Sequence, residues 1–260
     1  MKKGICLGCV PGNDDEEKFA NAAKYGFEGV EVGTLRDPAG RQAHKELSAR
    51  YGVAVSSVMN SDHWKYPLSD PDPAVRERSL EGVAASIETA AVLGGDTVLI
   101  VPAVVKPDVP YEAAQERSVE SIKKALPLSE DKGIVLAVEN VWNKFLLSPI
   151  EFAAYVDSFE SPYLRAYFDV GNIVAYGYPE HWVRTLGDRI AKVHVKGFDA
   201  KRHAFVQLLE GTIDWPGVRK AFQAIGYEDY VTAELGPSGD DPIRGFERIS
   251  SEMDQILAMV

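Results

Sequence analysis

Short apolar runs alternate along the chain with longer segments in which apolar and polar residues recur at helical spacing. Eight of the short runs predict strands, at residues 4–10, 29–35, 53–60, 97–105, 134–141, 164–172, 190–198 and 230–237. Most are near-continuous Val/Ile/Leu/Ala stretches. That is the pattern of parallel strands buried on both faces, not the alternation of a sheet with one wet face. The intervening segments predict helices at residues 14–25, 39–51, 73–93, 111–132, 149–159, 179–186, 215–225 and 242–259. Their ends carry punctuation. Ser148 and Asp214 suit N-caps, Pro73 suits a first turn, and Gly52, Gly94, Gly133, Gly187 and Gly226 are stop signals. Eight strands, each followed by a helix, predict an α/β chain forming a single (β/α)8 TIM barrel over residues 1–260. A doubly wound sheet would carry a glycine fingerprint after its first strand, and here that turn reads Cys9-Val10-Pro11-Gly12-Asn13. Residues 61–72 have no periodicity and are long for a βα connection. They hold His63, Trp64, Lys65 and Tyr66, and their length predicts a lid or binding loop.

Composition narrows the function classes. Apolar residues make up 45% of the 260 and charged residues 26%, as in ordinary globular proteins. A net charge of −11 argues against nucleic-acid and anionic-membrane partners, both of which demand a basic footprint. The longest apolar run, at 97–105, is far shorter than the ~18 residues of a membrane helix. Lys2 and Lys3 before Ile5-Cys6-Leu7 only faintly outline a signal peptide, and Asp14-Asp15-Glu16-Glu17 follows soon after, so a cytoplasmic location is expected. Cys6-Leu7-Gly8-Cys9 matches C-x-x-C. Residues three apart on a strand point to opposite faces, so it is not read as a redox or zinc pair.

In barrels of this kind chemistry gathers at the C-terminal ends of the strands. Four consecutive strands end in ionisable groups: Glu139, Asp169, His194 and Glu234. Taken singly, each has an ordinary reading as a cap, a surface charge or a hydrogen-bonded core histidine. Together they do not, because burying four ionisable groups side by side is costly without compensation. One divalent cation compensates them, and three oxygen donors with one imidazole suit Mn²⁺, Mg²⁺ or Co²⁺.

The stretches AVEN, YFDVGN, KVHVKGF, LLEGTIDWPGV and TAELGP resemble the xylose-isomerase-like barrel superfamily of sugar and sugar-phosphate isomerases and epimerases. The resemblance covers nearly the whole chain. It implies a divalent metal, commonly Mn²⁺, held by Glu139, Asp169, His194 and Glu234, with Glu139 and Glu234 also acting as acid and base. It implies a sugar or sugar-phosphate substrate. Members are often dimers or tetramers, a homo-oligomeric state that the sequence does not fix. Epimerising a ketose removes a proton beside the carbonyl and returns it to the other face of a planar cis-enediolate, which one base cannot do alone. Asp169-Val170-Gly171-Asn172 resembles the ketose-5-phosphate 3-epimerase and hexulose-phosphate isomerase-like branch. Epimerases of free ketohexoses carry His at the position of Asn172 and a second Glu where this chain has Phe145-Leu146.

Substrate contacts are expected from His63 in the third loop, Trp142 beyond the fifth strand, Asn172, Lys196 and Arg202. Lys196 shares strand parity with His194, and Arg202 lies in the loop after the seventh strand. Trp215 reads as helix packing and Glu210 as a brace for that loop. Glu31, in the second strand, is weighed as a pocket residue and set aside. The alternative activity is a metal-dependent lyase or dehydratase acting on an oxidised sugar, glycoside or inositol. An abasic-site nuclease on this barrel needs further histidines, one of them where Asn172 stands. A non-catalytic sugar-binding barrel would not need both carboxylates.

Overall fold

A strand apolar on both faces needs helices outside it and packed side chains inside it, and closing the sheet on itself satisfies both demands. The computed structural model describes residues 1–259. Its strands are β1 (Lys2–Cys6), β2 (Gly29–Gly33), β3 (Ala54–Met59), β4 (Thr97–Ile100), β5 (Val135–Glu139), β6 (Leu164–Asp169), β7 (Ile190–Val195), β8 (Gly197–Asp199), β9 (Ala204–Val206) and β10 (Tyr230–Ala233). Its α-helices are α1 (Asp15–Lys24), α2 (Pro38–Tyr51), α3 (Pro73–Leu93), α4 (Tyr111–Lys132), α5 (Pro149–Asp157), α6 (Val170–Ile173), α7 (Pro179–Leu186), α8 (Trp215–Ala224) and α9 (Pro242–Ala258). Eight parallel strands close in the order β1-β10-β7-β6-β5-β4-β3-β2, and β1 pairs with both β10 and β2 to complete the ring. Strands β8 and β9 form a separate antiparallel hairpin.

The predicted helices are present, with their ends moved by a few residues. Aspartate or serine side chains accept first-turn N–H bonds at Asp14, Asp37, Asp72, Ser148, Asp214 and Asp241. Gly133 ends α4 with φ of 66°, a left-handed conformation that suits glycine.

The barrel interior is layered. At the N-terminal end the buried Lys192 pairs with Asp96 at 2.9 Å and Asp229 at 2.5 Å. Above it Leu99, Ala137 and Tyr167 pack as a small apolar cluster. Higher still lies a polar layer of Glu31, Ser57 and His194, all buried. Alternate residues of one strand therefore feed successive layers, Ala137 then Glu139 on β5, Tyr167 then Asp169 on β6.

The predicted strands run too far at their C-terminal ends. β1 stops at Cys6 and Leu7–Cys9 form a 3₁₀ turn, so the opposite-faces argument against the two cysteines does not apply; both are free thiols. β4 stops at Ile100, and β6 stops at Asp169, where α6 begins. β7 stops at Val195 and the chain turns into the hairpin at Gly197. The apolar runs continue past the ladder because the segments over the barrel top are themselves buried, as Val101, Ala103 and Val170 are. Residues 61–72 form turns pinned to the barrel. Leu68 is buried, its carbonyl accepts from Ser121 Oγ at 2.8 Å, and Ser69 Oγ accepts from the Val104 N–H at 2.9 Å.

Candidate metal centre and pocket

The strand ends deliver their ionisable groups to one place. Glu139 and Asp169 are the last residues of β5 and β6, His194 is the penultimate residue of β7, and Glu234 directly follows β10. One ligand atom from each lies within 4.8 Å of the others. His194 Nδ1 stands between the two glutamates, 3.4 Å from Glu139 and 3.6 Å from Glu234. Asn140 locks β5 to β6. Its Oδ1 accepts from the Asp169 N–H and its Nδ2 donates to the Asp169 carbonyl, both at 2.8 Å. Asp169 Oδ1 accepts from the Asn172 N–H at 2.7 Å, which caps α6 and fixes the carboxylate.

Lys196 is not inside a strand. It sits between β7 and β8, yet its Nζ reaches Asp169 Oδ2 at 2.8 Å and pairs with Glu234. Its stem passes so close to Gly171 that a Cβ there would lie 2.5 Å from the Lys196 Cγ and 2.8 Å from its carbonyl oxygen.

Charges in this cluster are strongly biased by burial. Desolvation, helped by the Glu234 charge, pushes Glu139 up to about 7. Burial also acts to raise Glu234, but His194 and Lys196 outweigh it and hold this carboxyl low. Asp169 is raised, again by burial, against the pull of Lys196. Burial acts to lower Lys196, and Asp169 and Glu234 more than offset it, so its ammonium stays charged. Nearby, burial lowers His63 to about 4, which keeps its imidazole neutral.

The residues fit a hard divalent cation. Three carboxylates and an imidazole are a donor set for Mn²⁺, Mg²⁺ or Co²⁺, not for a thiophilic ion. Asp169 Oδ2 is buried and, among the described residues, has no hydrogen-bond donor in good geometry, only the nearby ammonium. Glu139, Asp169, His194 and Glu234 are the residues that would hold the ion.

Above the cluster is a cavity of about 210 Å³, lined among others by Glu139, Glu234, Lys196, His63, Trp142 and Asn172. Trp142 forms one wall. Its ring stacks on Phe205 (centroids 4.9 Å apart) and on His203 (5.6 Å apart), and its indole N–H donates to the Asn172 carbonyl at 2.9 Å. The loop that carries it places Lys144 and Leu146 in left-handed backbone at φ of 60° and 56°, a conformation disfavoured for side-chain-bearing residues. Asn143 holds that loop down by donating to the Ala103 carbonyl at 2.8 Å.

Eight of the nine expected site residues therefore meet here: Glu139, Asp169, His194, Glu234, His63, Trp142, Asn172 and Lys196. Arg202 does not. Residues 197–206 fold back as the hairpin, Arg202 is exposed at its turn, and it does not line the cavity; Phe205 of the same hairpin does. Trp215 is buried packing, its indole donating to the Leu208 carbonyl at 2.7 Å, and Glu210 accepts from Arg248 at 2.8 Å. Glu31 was set aside on sequence, but its carboxylate lies 3.0 Å from His194 Nε2, fully buried beneath the cluster. The signal for it was present: a charge between Val30 and Val32 in a doubly buried strand has no cheap structural explanation.

A family model described as the xylose isomerase-like TIM barrel matches residues 19–252. SgbU of Escherichia coli strain K12, provisionally named an L-ribulose-5-phosphate 3-epimerase, is 29% identical over 191 residues, covering 71% of this chain and 67% of its own. The L-ribulose-5-phosphate 3-epimerase UlaE of Escherichia coli O1:K1 / APEC is 27% identical over 199 residues, covering 74% and 68%. Among solved structures, the D-psicose 3-epimerase of Clostridium cellulolyticum H10 superposes with a TM-score of 0.83 at 18% identity, over 100% of this chain and 99% of that one.

Proposed function

Since the chain belongs to the xylose isomerase-like TIM barrel family, we propose that it is a divalent-metal-dependent epimerase or isomerase of a ketose or ketose phosphate. Sugar epimerases among its relatives support this reading. The observation that carries it is the placement of Glu139 and Glu234 on one cavity, on strand ends separated around the ring by β6 and β7, with His194 Nδ1 between them. Two carboxylates so placed can address both faces of one carbon.

One glutamate takes the proton beside the sugar carbonyl, and the other returns a proton to the opposite face of the planar enediolate. Lys196 balances the charge of Glu234 and Asp169 while this happens. Trp142 and Phe205 shield part of the cavity from water, and neutral His63, also in its lining, offers a hydrogen-bonding edge. A divalent ion, Mn²⁺ by preference, supplies Lewis-acid polarisation of the carbonyl when bound. Asn172 donates its side-chain amide to the Asn140 carbonyl at 3.0 Å, so the cavity wall at this position is a braced amide instead of an ionisable imidazole.

Solvent-deuterium incorporation read by NMR tests the proposal. Protein loaded with Mg²⁺ is offered ketoses, ketose phosphates and a 3-keto glycoside. Exchange at C3 with appearance of the epimer is expected. Exchange at C1 with an aldose product identifies an isomerase. Loss of water or an aglycone moves the protein to the lyases, and no exchange across the panel removes the epimerase and isomerase readings.

A further inference from the structure

The polar layer beneath the cluster has a job that packing alone does not explain. Glu31 is buried on all sides, and a buried carboxylate is costly unless its oxygens are matched. Both are. Oε1 faces His194 Nε2 at 3.0 Å, and Oε2 accepts from the Ser57 hydroxyl at 2.8 Å. Cys6 Sγ fills the remaining side, 3.5 Å from Glu31 and 3.7 Å from Nε2. The Tyr167 ring lies against the imidazole, centroids 4.4 Å apart, and its hydroxyl touches Ser57 at 3.2 Å. The five groups come from five strands, β1, β2, β3, β6 and β7.

We propose that Glu31 is a positioning residue, which holds the His194 imidazole with its Nε2–H in the barrel interior and its Nδ1 lone pair toward Glu139, Asp169 and Glu234. Flipping the ring about its Cβ–Cγ bond would exchange Nε2 with a C–H edge, and Nδ1 with another. Glu31 and the cluster would both lose their nitrogen at once. Two contacts on opposite edges thus select one orientation and one tautomer, as outer carboxylates do for metal-binding histidines in general. The inference rests on the reading of Glu139, Asp169, His194 and Glu234 as metal ligands. Cys6, Glu31 and His194 also have ligand atoms close enough to share an ion. His194 Nε2 cannot donate to Glu31 and coordinate a second cation together, and the two arrangements differ in stoichiometry.

Calorimetric titration of the metal-stripped protein with Mn²⁺ decides the matter. Wild type is expected to bind one ion. Glu31→Leu, close in volume but unable to accept, should weaken Kd about 10–100-fold. Glu31→Gln, whose amide oxygen still accepts from Nε2–H, should restore Kd to within about threefold of wild type, a rescue that a merely space-filling role would not predict. Equal affinity in wild type and a folded Glu31→Leu overturns the positioning role alone. Two ions in wild type and one in Glu31→Leu overturn it in favour of a second cation. No binding to wild type overturns the metal-centre reading and this inference with it. Should Glu31→Leu fail to fold by circular dichroism, Glu31→Asp, whose carboxylate is withdrawn by one methylene, serves instead. A Kd unchanged from wild type in that variant is equally fatal.

Discussion

Lys196 Nζ stands 2.8 Å from Asp169 Oδ2, and among the described residues no other donor reaches that buried oxygen. The same ammonium pairs with Glu234, so one cation is shared between two of the three carboxylates at the barrel mouth. Removing it leaves buried negative charge uncompensated. Lys196→Met should lower the unfolding free energy of the metal-free protein by about 3 kcal/mol, and saturating Mn²⁺ should recover part of the loss. Urea unfolding with and without Mn²⁺ measures both. A metal-free variant as stable as wild type would refute the compensating role.

Glu139→Gln and Glu234→Gln should each cut epimer formation by about 10²–10⁴-fold, the usual contribution of a positioned acid or base. The deuterium experiment refines this. A variant that retains exchange at C3 but forms no epimer has kept one base and lost the other. Full epimerase activity in either variant sinks the two-base scheme.

Asp169→Ala removes an expected metal ligand and the cap of α6 together. Metal content by elemental analysis should fall to background while circular dichroism still reports a folded barrel. Unchanged stoichiometry would refute the ligand role.

His63 makes stability depend on pH. Its folded-state value is about 4 against an ordinary 6.5, so as pH falls the unfolded chain takes up the proton first. The stability linked to neutral His63 is complete above about pH 6.5 and drains away between there and about pH 4, by about 3 kcal/mol in all. His63→Leu should abolish that component. Unfolding free energies at pH 7.5 and 4.5 should differ more in wild type than in the variant, and parallel losses in both would contradict the assignment.

The eight strands and four ligand candidates were legible because doubly buried parallel strands write their composition plainly, and a charge at the end of such a strand has few ordinary explanations. Strand ends were not legible. Val101, Ala103 and Val170 stay apolar because the barrel top is buried, so composition does not mark where the ladder stops. The hairpin was invisible for the same reason: Val195-Lys196-Gly197-Phe198 reads as one strand until the chain reverses after Asp199. That reversal exposes Arg202 and brings Phe205 to the cavity, an exchange that depends on tertiary folding alone. Glu31 was weighed only as a pocket residue and set aside, and it does not line the cavity; its contact with His194, 163 positions away in sequence, was not legible.

Glu234 occupies a telling place in the ring. Its strand, β10, is held on one side by β7 and on the other by β1, through the Lys2–Tyr230 to Ile5–Ala233 register. This is the seam at which the first and last strands of the ladder meet, and pairing across so long a sequence separation carries a large loop-closure cost. The β7 side of β10, not the seam, sets Glu234 beside the other three donors, because β5, β6, β7 and β10 are neighbours in the ring. A ligand that engages Glu139 and Glu234 together ties this run of four strands into one unit that ends at the seam, and it stabilises the folded chain only through forms in which those four strands are paired.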